Sequence, residues 1–157
     1  MDEETKRQRK PFPWRCSACS KKEVDLRTVP YRVKVNHDGR LYELEIPEFE
    51  VPQCRACGEM VFDTLADEQT NRALREHLGL LTPAQIRAAI KTLGMQQKEV
   101  ASALGIAEAT LSRWLSGGLI QSRAMDNMLR VYFGIPAVRQ VLQEVKRDTA
   151  VGSVAVL

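Results

Sequence analysis

From residue 29 to residue 35 apolar side chains occupy every second position. Val29, Tyr31, Val33 and Val35 alternate with Arg32 and Lys34, the period-two pattern of a half-buried strand. "NHDG" at 36–39 then supplies residues that tolerate the left-handed backbone of a tight turn. Tyr42, Leu44 and Ile46 carry the alternation on, Pro47 interrupts it, and Phe49 and Val51 resume it as far as Cys54. The pattern predicts a small antiparallel sheet.

After Phe62 the period becomes helical. Thr64 with Asp67 three positions on has the form of a capping box, and Gly79 is placed to end the helix it opens. Only Leu74 and Leu78 mark an apolar face on that helix, which suits a connector. Thr82, Pro83 and Gln85 then make a strong helix start, with Ile86, Ala89, Ile90 and Leu93 on one face and Gly94 at its end. A second helix from Gln97 turns Val100, Ala101 and Leu104 inward and breaks at Gly105. A third, over 107–116, buries Leu111, Trp114 and Leu115 ahead of two glycines. A fourth places Met125, Met128, Leu129, Tyr132 and Phe133 at helical spacing, and a fifth from Pro136 does so with Val138, Val141, Leu142 and Val145. Residues 149–157 are apolar and strand-prone, which fits either disorder or pairing with another chain.

The first ten residues carry charge and no hydrophobe beyond Met1, so they are expected to be a flexible tail; Phe12 and Trp14 are expected to cover the first cysteine pair. No stretch has the form of a signal peptide, and none approaches the roughly 20 apolar residues of a membrane span. A cytoplasmic protein without membrane contact is therefore expected. At 157 residues with so abrupt a change of pattern, two small domains are expected.

All four cysteines lie in two CxxC pairs, "CSAC" at 16–19 and "CRAC" at 54–57, flanking the predicted sheet. In a reducing compartment such pairs bind metal or carry out redox chemistry. A catalytic dithiol sits at a helix N-terminus after a strand of an α/β sheet, and neither pair has that setting. Four thiolates instead match a tetrahedral zinc site, with Cys16, Cys19, Cys54 and Cys57 as ligands. A closed shell of this kind is structural, because no coordination position remains for water or substrate. His37 and His77 are read as solvated residues.

Charge adds an asymmetry. Residues 1–64 hold 12 basic and 12 acidic residues, whereas 65–157 hold 11 basic and 8 acidic ones, so the net charge of +3 lies wholly in the C-terminal part. That part contains "QKEVASALGIAEATLSRWLSGG" at 97–118, a helix-turn-helix pattern: Ala101 is small where two helices cross, and Gly105 permits the turn. The second helix of such a unit enters the major groove of duplex DNA. On it, Arg113 is the candidate base reader, because a guanidinium pairs bidentately with guanine, and Thr110 and Ser112 can reach bases or phosphates. Gln97 at the first helix's N-terminus, Lys98 and Arg123 are candidate phosphate contacts. Glu108 is expected to cap its own helix. One recognition helix covers few base pairs, so a homodimer is expected, with residues 136–157 as the candidate dimerisation segment.

The order CxxC, β segment, CxxCG, connector helix and helix-turn-helix resembles the MqsA/YgiT antitoxin family, with "CSAC", "CRACG", "LTPAQIRAAIKTLGMQQKEVASALG" and "LSRW" carrying the likeness. The resemblance implies an N-terminal zinc domain that neutralises a small ribonuclease toxin and a dimeric domain that represses its own operon. It also implies zinc ligation by Cys16, Cys19, Cys54 and Cys57 and a DNA contact by Arg113. The family's asparagine four residues earlier falls on Ala109, which points to a different operator. A stand-alone zinc-containing regulator is the alternative.

The expected fold class is α+β: a small zinc-bound antiparallel β domain joined by a connector helix to an all-α, lambda-repressor-like helix-turn-helix domain. The expected boundaries are a flexible tail over 1–13, the zinc domain over 14–63, the connector over 64–80, the DNA-binding domain over 81–136, and a C-terminal helix and tail over 137–157. Glu43, Glu45, Glu48 and Glu50 make one strand acidic, either as a solvated face or as a surface for a basic toxin. Nothing in the chain has the pattern of a catalytic nucleophile or a phosphate-binding loop, so no enzyme is expected.

Overall fold

The computed structural model describes residues 8–150, with side chains up to Val145. The chain divides into two compact units at Leu74/Arg75.

The first unit is built on one antiparallel pair, β1 (Val24–His37) and β2 (Arg40–Cys54), in register from Val24↔Cys54 to His37↔Arg40. Asp38 and Gly39 join them with φ of 51° and 71°. Two consecutive left-handed residues give the turn whose twist matches that of the strands, which is why an Asp-Gly pair works here. The register shifts between Val29↔Phe49 and Tyr31↔Ile46. Pro30 and Pro47 both lie in that gap, and neither has an N–H to lose from the ladder. β1 begins five residues before the apolar alternation does. Over 25–28 the pairing with 50–53 holds the strand, and Leu26 is left exposed.

Phe49, Val51 and Ala66 form a buried cluster on which Val29, Tyr31, Ile46 and Met60 pack, with the Tyr31 and Phe49 rings stacked at 4.6 Å. Cys16, Val24 and Cys54 form another, covered by Trp14. Phe12 stacks on Trp14 at 4.6 Å, and Trp14 exchanges main-chain hydrogen bonds with Val24. Residues 1–7 of the expected tail lie outside the described residues. Beyond them Arg9 grips Asp63 through two hydrogen bonds of 2.7 and 3.1 Å.

Helix α1 (Thr64–Leu78) follows. Its N-cap is Asp63 and not Thr64: Asp63 Oδ1 accepts from the Ala66 N–H at 2.9 Å. A carboxylate held by Arg9 is a better acceptor for the positive helix end than the exposed Thr64 hydroxyl. Gly79, at φ 62°, ends the helix, and the Leu80 N–H returns to the Arg75 carbonyl.

The second unit contains α2 (Pro83–Thr92), α3 (Gln97–Leu104), α4 (Glu108–Leu115), α5 (Arg123–Gly134) and α6 (Pro136–Ala150). Thr82 and Gln85 form a capping box at the expected start of α2. Ile86, Ile90, Val100, Ala101, Leu111, Trp114, Leu115, Leu129 and Tyr132 make the core. Of the expected core residues, Met128, Val141 and Val145 stay exposed, at 37%, 55% and 56%, and Ala89 and Val138 are only half-buried outside the cluster. α6 can bury only one stripe, and it buries the Val138/Leu142 side while Arg139 of the same helix bonds the Tyr132 and Phe133 carbonyls.

A fully buried carboxylate, Asp126, ties α5 to the α1–α2 connection. Asp126 Oδ1 accepts from the Leu81 N–H at 2.7 Å and from Gln121 at 3.1 Å, and Oδ2 accepts from Arg130 at 2.8 Å. Burial raises its pKa, but the Arg130, Leu81 and Gln121 donors outweigh burial and leave it below the ordinary carboxylate value. Its contribution to stability is therefore complete above that ordinary value and is lost as pH falls through the depressed one. Asp126→Ala, which strands a buried N–H, is expected to cost about 2–3 kcal/mol in urea unfolding at neutral pH. It should also flatten the acid limb of stability against pH; an acid limb as steep as wild type would remove Asp126 as its cause.

Candidate metal centre and nucleic-acid interface

The two CxxC segments fold into matching knuckles. In the first, the Ser20 N–H bonds the Cys16 carbonyl at 2.9 Å and the Cys16 N–H bonds the Lys21 carbonyl at 2.8 Å. In the second, Gly58 N–H to Cys54 O and Cys54 N–H to Glu59 O repeat the same bonds at 2.9 Å each. Each turn needs a left-handed residue after its second cysteine. Gly58 takes φ 81° at no steric cost, whereas Ser20 takes φ 62° against its Cβ. The ladder Val24↔Cys54 and the Trp14–Val24 bridge bring the knuckles face to face.

The four Sγ atoms lie within 4.8 Å of one another, with Cys16–Cys57 at 3.6 Å and Cys19–Cys54 at 3.7 Å. Sulfurs about 2.3 Å from a tetrahedral metal stand about 3.8 Å apart, so these are coordination distances, and no disulfide is present among them. The electrostatics also call for a cation. The Cys19 and Ala18 main-chain N–H groups bring the Cys16 thiol down to about 7 against the effect of burial. Cys57 receives the Glu59 N–H, yet desolvation and the three neighbouring sulfurs push it up to about 12. Four thiolates this close cannot all ionise by themselves, and a divalent ion supplies the missing charge. An all-sulfur donor set of tetrahedral spacing suits zinc. Neither knuckle opens a helix, and neither histidine belongs to the cluster.

In the second unit α3 and α4 meet through Gly105, at φ 71°, and the Ile106 N–H returns to Ala101 O at 3.0 Å. Ala101 is 1% exposed, small where the helices cross. Ala109, Ser112 and Arg113 lie exposed on α4, with Thr110 half-buried beside them. Gln97, half-buried, and Lys98, exposed, start α3. Ala107 is the N-cap of α4, with no side-chain cap. Glu108, expected to cap, is the first helical residue and can only complement the positive helix end. Arg123, exposed at the start of α5, bonds the Leu78 carbonyl and lies 3.8 Å from Asp126 Oδ2.

Arg123 is one of five arginines whose guanidinium groups meet main-chain carbonyls at or just after helix ends. Arg75 donates to Trp114 and Leu119, Arg87 to Leu115, Arg130 to Gly79 and Arg139 to the end of α5. Cations stabilise the carbonyl ends of helices. These five come from the 11 basic residues of 65–157, so the charge excess measured helix capping as much as affinity for a polyanion. Arg75, Arg87 and Arg139 have no acidic residue three or four positions away, which was the available signal for those three, whereas Arg123 and Arg130 share Asp126 at helical spacing.

A helix-turn-helix family model matches residues 86–132, from α2 through α5. This stretch is a helix-turn-helix domain. No curated protein matches the chain. The domain match supports a DNA-binding transcriptional regulator, and the chain as a whole has the expected α+β class: an antiparallel pair with a four-cysteine cluster, followed by all-α structure. Among the described residues no helix is long and apolar enough to cross a membrane.

The knuckles differ in one residue, and that difference is measurable. No atom lies within 4 Å of a Cβ placed on Gly58, so Gly58→Ala should cost only the left-handed strain, ~1 kcal/mol, or about five-fold in zinc affinity. Ser20→Gly should relieve the same strain and tighten zinc by a similar factor. Competition against a chromophoric chelator reads both, and equal affinities for all three proteins would show that the turns do not limit metal binding.

Proposed function

We propose that the chain is a sequence-specific DNA-binding transcriptional regulator of antitoxin type. Its dimeric helix-turn-helix domain represses its own operon, and its zinc-held unit neutralises a small ribonuclease toxin. The observation that carries the DNA reading is the exposed face of α4. Arg113 is the one long cation there, one turn from Ala109 and beside Ser112, so short side chains let the helix approach base edges while the guanidinium reaches a guanine. Gln97 and Lys98 at the start of α3 serve the phosphate backbone. Arg123, exposed and bonded to the Leu78 carbonyl, is a further phosphate contact in this reading.

The antitoxin part rests on the order of knuckle, hairpin, knuckle, helix and helix-turn-helix, which resembles the MqsA/YgiT family. In this reading a zinc domain over 14–63, a connector over 64–80 and a DNA-binding domain over 81–136 divide the work, with zinc in a structural role on Cys16, Cys19, Cys54 and Cys57. Met128 and Val131 on α5, Ile135 just after it and Val141 on α6 leave apolar surface exposed, which supports a homodimer through the C-terminal helices. The tail over 151–157 lies outside the described residues. Glu43 and Glu45 face Lys34 and Arg32 at 2.8 and 3.5 Å, so they are already neutralised on the hairpin. Glu48 and Glu50 have no ion pair among the described residues, and they are the acids a basic toxin would meet.

Zinc-loaded protein titrated onto its own upstream DNA, against a scrambled duplex and across salt concentrations, tests the regulator. The expected footprint covers two half-sites about one helical turn apart. Arg113→Ala should lose ~1–3 kcal/mol of discrimination at one guanine, whereas Gln97→Ala weakens all duplexes alike. No preference for upstream DNA would sink the regulator, and a single half-site would sink the dimer. For the antitoxin reading, Glu48→Lys with Glu50→Lys should weaken capture of the neighbouring gene's purified product at least ten-fold. Unchanged affinity removes these acids from the interface, and no binding by the wild type leaves a stand-alone regulator.

A further inference from the structure

All four sulfurs lie within 4.8 Å of one another, and two of the approaches run across the knuckles, Cys16 to Cys57 at 3.6 Å and Cys19 to Cys54 at 3.7 Å. Each knuckle's main chain is pinned by its own turn bonds, which hold its two sulfurs facing the opposite knuckle. Access is uneven: Cys57 is exposed, Cys19 half-buried, and Cys16 and Cys54 are buried. An oxidant from solvent therefore meets Cys57 first, with Cys16 already behind it at the distance of an attacking group.

We propose that the cluster is also a redox site, in which a peroxide joins Cys57 to Cys16 across the knuckles and the metal is released. The Cys57 sulfur, as the thiolate that metal binding requires or as the small fraction ionised without metal, attacks hydrogen peroxide, the O–O bond breaks, and sulfenic acid and hydroxide form. The Cys16 thiolate then attacks the Cys57 sulfur, forming the S–S bond and displacing a second hydroxide. Two thiolates lose two electrons, the peroxide gains them, and two protons turn the hydroxides into water. Half of the anionic donors are then gone, and Cys19 and Cys54 cannot hold a divalent ion alone. A second equivalent of peroxide joins Cys19 to Cys54 by the same steps. The linkage rests on the sulfur geometry, and only the release rests on the zinc reading.

The positions of lysine and arginine make the pairing readable. Trypsin cuts after Arg15, Lys21, Arg40, Arg55 and Arg72, which puts Cys16 and Cys19 on peptide 16–21, Cys54 on 41–55 and Cys57 on 56–72. The zinc-loaded full chain is treated with one equivalent of hydrogen peroxide, its remaining thiols are alkylated, and the unfolded protein is digested and mapped by mass spectrometry. The expected product is 16–21 joined to 56–72, with Cys19 alkylated, the bond cleaved by dithiothreitol, and one zinc released to a chromophoric chelator per bond. Linkage of 41–55 to 56–72, a disulfide within 16–21, over-oxidised cysteine without linkage, or full alkylation would each overturn the proposal. A preparation that carries no zinc before treatment overturns the metal reading alone, and the linkage is then read identically on the reduced chain.

Discussion

The first unit depends on the convergence of four sulfurs. Its buried clusters hold three residues each, too little apolar area to offset the entropy of ordering the chain. What closes the unit is the meeting of Cys16 and Cys19 with Cys54 and Cys57, and much of the geometry follows from it. Cys54 is both the last residue of β2 and a member of the cluster, so the sulfur site and the register Val24↔Cys54 constrain one another. A one-residue slip would turn every side chain of the hairpin to the other face and carry Cys54 away from the site. The proline-bearing irregularity lies in mid-hairpin, away from the cysteine end.

The second unit has a conventional core and needs no such staple. Its polar groups do a different task, satisfying the carbonyl ends that short helices leave open. Helices of 8 residues, such as α3 and α4, leave half their carbonyls without a helical partner. Arginines from elsewhere in the unit reach several of these groups, and buried Asp126 meets the N–H of Leu81. Arg75 and Arg87 both bond carbonyls at the end of α4, the helix that carries Arg113.

What could be read from the sequence divides along the range of the interactions. Period-two and period-3.6 patterns reported the hairpin and the helices, because each reflects one face of one element. The CxxC pairs reported the cluster, because only sulfurs at that spacing turn toward a common point. Less legible was anything set by a distant partner. Asp63 displaces Thr64 as the N-cap because Arg9, 54 positions away, orders its carboxylate. The bond from Arg123 to the Leu78 carbonyl has no sequence signature. Met128 and Val141 lie at core spacing on their helices yet stay exposed, since spacing shows which residues share a face and not whether that face has a neighbour.

The same distinction bears on how charge is used. A net positive half-chain invites a polyanion, but a cation already bonded to a carbonyl contributes field without contributing a contact. With Arg75, Arg87, Arg130 and Arg139 engaged, the proposed contacts retain Lys98, Arg113 and the exposed Arg123. A face with so few cations releases few counterions, so its affinity leans little on salt-sensitive attraction and more on fit. Ala109 and Ser112 serve that fit by being small, since a helix carrying one long reader among short side chains can lie deep in a groove. In the proposed reading selectivity rests on Arg113, and the orientation of the helix that carries it is set by its buried side, Leu111, Trp114 and Leu115, packed into the core of the domain.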